Sequence, residues 1–290
     1  MALNKEVWIN QIKENFYPDD SFLNVVVNLS EFVENDKIHM PSAGIDPAVL
    51  INNTTYPIQI QERTDTDNVA VLDKFETENT HVHRPDAIEY SYNKLESVIR
   101  QHRSTLRAAV AKKAIHAYAP SGDTESTPVI LTTGSVNNGR KIMLFDDILT
   151  LKERFDDAQI PLEKRCLVLH PKHVSDLLKS DIQFFKELTE LENGTPKKFA
   201  GFSIYQFPFM PQYKTVEGEL KKAAFGTTDG YFASVAFQAD EVMKADGDIY
   251  MYSREDDPEV RGTIVGFDKR FIALPIRGLG IGAIVSSSAL

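Results

Sequence analysis

Between Pro85 and Pro120 the sequence contains neither glycine nor proline, and this uninterrupted stretch constrains the fold more than any other feature. Ile88, Tyr92, Leu95, Ile99, Leu106, Val110, Ile115 and Tyr118 recur along it at helical or two-turn steps, which puts them on one stripe of an α-helix running from Asp86 to about Tyr118. At about 1.5 Å per residue, roughly 33 residues make a rod of about 50 Å. Ordinary helices run to about 11 or 12 residues. A helix this long in a chain of 290 residues is a spine on which the rest must be arranged. Arg100, Arg103 and Arg107 share a stripe of it, and the rod carries a net charge of +3. A solvated or salt-bridged face is the plain reading of that stripe; a docking strip for an acidic partner is the sharper one.

What precedes the spine is too poor in apolar residues to fold alone. Residues 1–36 place Val7, Trp8, Ile12 and Phe16 at helical spacing before Tyr17-Pro18-Asp19-Asp20 breaks the pattern, and the segment carries a net charge of −5. It reads as an acidic arm that must pack on the rest of the chain or on a neighbour. From Lys37 to His83 come short strand-like pieces separated by Pro41, Gly44, Pro47, Asn52-Asn53 and Asp65-Thr66-Asp67-Asn68. Ile58-Gln59-Ile60-Gln61 alternates faces, as a strand does. The expectation is a long two-stranded excursion, which is marginally stable unless it leans on another surface.

After the spine the pattern turns to mixed α/β. Asp146-Asp147-Ile148-Leu149 with Leu151 and Phe155 predicts a capped amphipathic helix, and the apolar run Arg165 to His170 predicts a buried strand. Pro171 opens a helix carrying Val174, Leu177 and Leu178, since proline is tolerated in a first turn. Strands are expected at Gly201–Phe207, Ala223–Gly226 and Tyr231–Phe237, then in three closing pieces at 249–252, 260–267 and 272–274. Asp246-Gly247-Asp248 and Asp256-Asp257-Pro258 read as the turns between them.

Composition removes several function classes. The single Cys166 excludes an intramolecular disulfide framework and any metal site built from several cysteines. The N-terminus lacks a basic region followed by an apolar one, and no apolar run approaches the roughly 20 residues that cross a bilayer, so a chain that is neither exported nor membrane-bound is expected. A net charge of −10 opposes nonspecific attraction to phosphate backbones.

Candidate chemistry is sparse. Cys166 lies in an apolar strand and reads as a small buried hydrophobe. His170 and His173 flank Pro171 with no third ligand at zinc spacing, so a surface turn is expected there; His81 and His83 likewise lack a third partner. The pairs Asp65/Asp67, Asp246/Asp248 and Asp256/Asp257 offer carboxylates to a hard cation, but none is followed by the glycine and distal glutamate of an EF-hand loop. Gly278-Leu279-Gly280-Ile281-Gly282 has no room after it for the helix of a phosphate-binding loop. No catalytic, cofactor or metal residues are assigned. A metal-assisted enzyme using the Asp pairs and histidines, or a binding domain that closes into a ring, stands as the alternative.

The order of segments, an acidic arm, a β excursion, a spine, an α/β section and closing strands, resembles the major capsid proteins of tailed bacteriophages. Several stretches are similar to that family: Tyr56-Pro57 through Gln61-Glu62-Arg63-Thr64-Asp65-Thr66-Asp67, then Glu89 to Val98, Ile160 to Pro171, Ala200 to Pro211, and Gly262 to Phe271. The resemblance implies an α+β chain of the Hong Kong phage capsid fold. Its parts would be an N-arm (1–36), an extended β-hairpin E-loop (37–80), a peripheral domain with the spine helix (81–120 and 240–290) and an inserted α/β axial domain (121–239). It implies a structural virion protein and no enzyme, assembled in the host cytoplasm into hexamers and pentamers of an icosahedral shell. Scaffolding, portal and decoration proteins would be its partners, with double-stranded DNA enclosed but not read. Trp8, Phe16, Arg63, Asp65, Asp67, Arg100, Arg103 and Arg107 are then expected at subunit interfaces, the acidic arm docking on the basic spine of an adjacent copy. Scaffolding is expected to be a separate protein or a removed segment. No lysine lies between Lys37 and Lys74, so no covalent cross-link through the loop tip is expected.

Overall fold

The expected spine is a helix, α1, described from Lys94 to Tyr118, 25 residues or about 37 Å long. The computed structural model describes residues 9–10, 16–17, 21–42, 52–54, 56–58, 66–83, 94–180 and 198–286, so the expected first turns of the spine, at 86–93, lie outside the described residues. Val98, Ile99, His102, Leu106, Val110, Ala114 and Tyr118 make a buried stripe at three- and four-residue steps. Burying each large apolar member contributes about 2 kcal/mol. The helix ends before Pro120, whose ring disfavours helical backbone at the residue preceding it.

In chain order the strands before α1 are β1 (Val27–Asn28), β2 (Val33–Glu34), β3 (Lys37–Ser42), β4 (Thr66–Val71), β5 (Asp73–Glu76) and β6 (Thr80–His83). After it come β7 (Val129–Leu131), β8 (Val136–Asn137), β9 (Arg140–Lys141), α2 (Phe145–Asp157), β10 (Arg165–Leu169) and α3 (Pro171–Ser180). The chain closes with β11 (Lys198–Phe199), β12 (Phe202–Gln206), β13 (Gln212–Val216), β14 (Glu219–Lys222), β15 (Tyr231–Gln238), β16 (Val242–Asp257), β17 (Gly262–Pro275) and β18 (Ile281–Val285).

Among the described residues one sheet runs β1-β16-β17-β5, with β6 also pairing on β17, and α1 lies across it. Its centre is the long hairpin of β16 and β17. Asp246-Gly247-Asp248, expected to be a turn, is instead a bulge within β16: the register passes from Asp246 opposite Phe271 to Ile249 opposite Lys269, with one extra residue on β16. The bulge inverts the strand's parity. Val242 before it and Ile249 and Met251 after it all face α1, while Met243 and Ala245 face the opposite side. Gly247 is required there, because a Cβ would stand 2.6 Å from the Arg270 Cβ. The expected turn at 256–258 does close the hairpin, between Asp257 and Gly262.

The second sheet runs β11-β12-β10-β15-β13-β14, with β18 on the other edge of β15 and β7 beyond it. Leu167, Leu169, Phe202, Ile204 and Ala236 face α2 and α3 on one side. Cys166, Val168, Val235 and Phe237 face the core under α1 on the other, which is why β10 is apolar at every position but its first. Two expectations change here. Ala223–Gly226 is not a strand: β14 ends at Lys222 and the chain turns at Gly226 with φ +86°. The grouping of 240–290 into one unit breaks at its end, because β18 pairs with β15 and β7 in this second sheet and not with β16 or β17.

Candidate assembly surface

The arm folds back on its own chain. Phe22 packs edge-on against Phe207 and Phe237, Leu23 and Val26 enter the same core, and β1 adds in parallel to β16. Phe16, expected at a subunit interface, is buried within the chain; its ring carries the Lys269 ammonium 4.5 Å from the centroid. Tyr17 lies beside it. Its ring accepts the Lys244 ammonium at 3.9 Å, and its hydroxyl donates to Asp246 Oδ1 at 2.7 Å. Lys269 completes the set with a 2.5 Å ion pair to the same carboxylate. Burial first, and then the Asp246 charge, push the Tyr17 phenol far up; burial pushes the Lys244 amine down. Asp246 is thus held by two partners and is not available as half of a cation site. Trp8 lies outside the described residues.

The excursion is a hairpin whose ladder runs from Lys37 opposite Val71 to Ser42 opposite Thr66. At its base Ile38 and Leu72 are buried with Met243, Ala245 and Ile272 on the face of the first sheet away from α1. The alternate positions face outward, leaving Val69 49% and Val71 60% exposed on β4, the edge strand. Arg63 and Asp65 lie outside the described residues; Asp67 sits on β4, opposite Pro41. Ile58 is exposed, and Gln59 and Ile60 lie outside the described residues.

On α1, Arg100 is exposed and Arg103 and Arg107 are half-buried. At the C-terminal end of the helix the Lys222 Nζ donates to the carbonyls of His116 and Ala119 at 3.1 and 2.6 Å, and the Tyr213 hydroxyl donates to the Pro120 carbonyl at 2.6 Å. These contacts tie the end of the spine to β13 and β14 of the second sheet, meeting orphan carbonyls with a cation.

His170 and His173, expected in a surface turn, are buried. His173 is wholly enclosed, its Nδ1 2.6 Å from Ser234 Oγ and its Nε2 2.7 Å from Ser286 Oγ; His170 stacks on Phe232 at 4.6 Å. Burial is the main cause that pushes His173 down to about 3 and His170 to about 4, with the Lys172 and Arg140 charges adding to the effect at His170. Nearby, Asp176 accepts from Nη1 and Nη2 of Arg140, at 2.5 and 2.8 Å. The signal for this burial was present in the sequence: His173, Val174 and Leu177 share one face of α3. Cys166 is buried as expected, its thiol pushed up to about 12 by burial. Among the described residues no three His, Cys, Asp or Glu side chains come together as metal ligands, and no helix is long and apolar enough to cross a membrane.

A spine helix laid on a long-stranded sheet, a second sheet backed by two helices, and the antiparallel pair β3–β4 seated on the first define the capsid-shell class of fold. No protein-family model and no curated protein matches the chain. Solved structures do. The capsid of Ralstonia phage GP4 matches with a TM-score of 0.66 at 9% identity, covering 92% of this chain and 88% of that one. The capsid of cyanophage P-SCSP1u matches with a TM-score of 0.62 at 13% identity, covering 91% and 87%. The SrpI encapsulin of Synechococcus elongatus matches with a TM-score of 0.55 at 9% identity, covering 93% and 89%. The chain has the α+β fold of the tailed-phage capsid proteins.

Proposed function

We propose that this chain is the major capsid protein of a tailed phage, a structural protein that assembles with copies of itself into hexamers and pentamers of an icosahedral shell around double-stranded DNA. The observation that carries this reading is the likeness of about nine-tenths of the chain to phage capsid subunits. The outward valines of β4 add a physical reason for association: an edge strand with apolar side chains is a surface a neighbouring copy would cover.

In this reading residues 1–36 are the N-arm, 37–80 the E-loop, 121–239 the axial domain, and the spine with β16 and β17 the peripheral domain. Arg63, Asp65 and Asp67 near the loop tip, Trp8 on the arm and the Arg100, Arg103, Arg107 stripe meet neighbouring subunits. Phe16 instead anchors the arm to its own chain, a role supported by its burial. Scaffolding, portal and decoration proteins are the partners, and assembly takes place in the host cytoplasm. Reversing Arg100, Arg103 and Arg107 together to Glu tests the interface assignment: particles should fail to form while the monomer's circular dichroism stays unchanged, and normal particles from the triple variant would refute it.

A further inference from the structure

Beside the buried histidines a hollow of about 360 Å³ opens between α3, the β8–β9 turn and the ends of β15 and β18. Its walls are rich in hydrogen-bond donors. Lys172, Asp176 and Lys179 follow at steps of four and three on α3, so one helix face presents two ammonium groups and a carboxylate. From across the hollow Asn137, Asn138 and Arg140 line it, together with Ser286.

The charge balance is one-sided. Among the described residues Asp176 is the only carboxylate lining the hollow, and it is already engaged by the Arg140 fork and by the Met143 backbone N–H at 3.2 Å. Arg140 and Asp176 cancel, which leaves the charges of Lys172 and Lys179. Lys172 is also held in place, its Nζ 4.1 Å from the centroid of the Phe232 ring, so its charge is positioned before any ligand arrives.

We propose that this hollow is an anion site that takes a phosphate group, held by Lys172 and Lys179 with the Arg140 edge and the Asn137 and Asn138 amides as neutral or charge-assisted donors. Phosphate is the chemistry that fits, because its several acceptor oxygens, whether on one free phosphate or on a phosphodiester, can use the ammonium, guanidinium and amide donors of these residues together, which a single-atom anion leaves idle. The group is either a free phosphate or the phosphodiester of a nucleic-acid strand. The proposal does not rest on the shell reading, since it concerns one chain.

The test uses the full chain at low ionic strength with two probes, inorganic phosphate followed by calorimetry and a fluorescent oligodeoxythymidine followed by anisotropy. Saturable binding of either probe is expected, with the K172Q/K179Q variant weakened tenfold or more and a K214Q/K221Q control, carrying the same charge change elsewhere, within twofold of the parent. Ser175→Asp, which adds a carboxylate on the same face of α3, should also abolish binding and serves if the double variant does not fold. Phosphate binding alone identifies the free anion; tighter binding of the oligonucleotide that weakens with salt identifies the strand backbone. Absence of saturable binding with both probes, K172Q/K179Q binding like the parent, or an equal loss in the control overturns the proposal.

Discussion

The Tyr17 hydroxyl donates to Asp246 Oδ1 over 2.7 Å, joining the arm to the bulge of β16 across 229 positions of sequence. The bulge is what makes the contact. Asp246 is the last paired residue before the extra one, and its carboxylate gathers the phenol of Tyr17 and the ammonium of Lys269. Tyr17→Phe keeps the ring under Lys244 and removes only the hydroxyl, so it should cost about 1 to 2 kcal/mol. The loss should be local. Hydrogen exchange at residues 21–28 is expected to accelerate while that of α1 is unchanged; unaltered exchange at 21–28 would show that the arm is held by Phe22 and Leu23 alone.

The buried imidazoles make stability depend on pH in a stated direction. His173 and His170 lie at about 3 and 4 when folded, below the ordinary 6.5, so the unfolded chain binds more protons in the window between. Their contribution is fully present above pH 6.5 and is lost as pH falls through the window, at up to about 1.4 kcal/mol per pH unit for each group. The melting temperature should therefore fall from pH 7 to pH 4.5, and His173→Gln, which can still bond Ser234 or Ser286, should flatten that fall. An equally steep profile in the variant would assign the acid sensitivity to other groups.

Lys222 caps the spine from the second sheet. Lys222→Met retains the apolar stem and leaves the carbonyls of His116 and Ala119 without their donor, an expected cost of about 1 to 3 kcal/mol. Chemical denaturation measures it, and early fraying at the Tyr118 end of α1 should be visible by hydrogen exchange before global unfolding.

At Gly282 β18 runs close against α2. A Cβ there would stand 2.7 Å from Phe155 Cε2 and 3.1 Å from both Leu151 Cδ1 and the Pro128 carbonyl, so Gly282→Ala must displace a packed ring. Overpacking of this kind costs about 1 to 3 kcal/mol. A variant as stable as the parent would mean that α2 can shift on the sheet.

Local patterns in the sequence carried the periodic parts of this fold. The spine, α2, the buried strand β10 and the start of α3 at Pro171 follow from helical or strand spacing and from proline, which act over a few residues. What escaped is set at long range. Asp246-Gly247-Asp248 has turn chemistry, yet the partner strand β17 runs past it and converts it to a bulge. Residues 281–285 were not expected as a strand; they form β18, whose pairing is decided by β15, some 50 residues earlier in the chain, and by β7. The candidate interface was read from segment charge and from a hairpin too marginal to stand alone; that Val69 and Val71 face outward on an edge strand is set by the pairing of β4, and nothing local announces that Phe16 turns inward onto Lys269.

The central claim is self-assembly into a shell, and electron microscopy of the purified, expressed chain tests it most directly, with a scaffolding partner co-expressed where the chain alone gives capsomers. Closed icosahedral particles, or rings of five and six copies that convert to them, are the expected result. A monodisperse monomer or a single small oligomer that forms neither rings nor shells under either condition would contradict it.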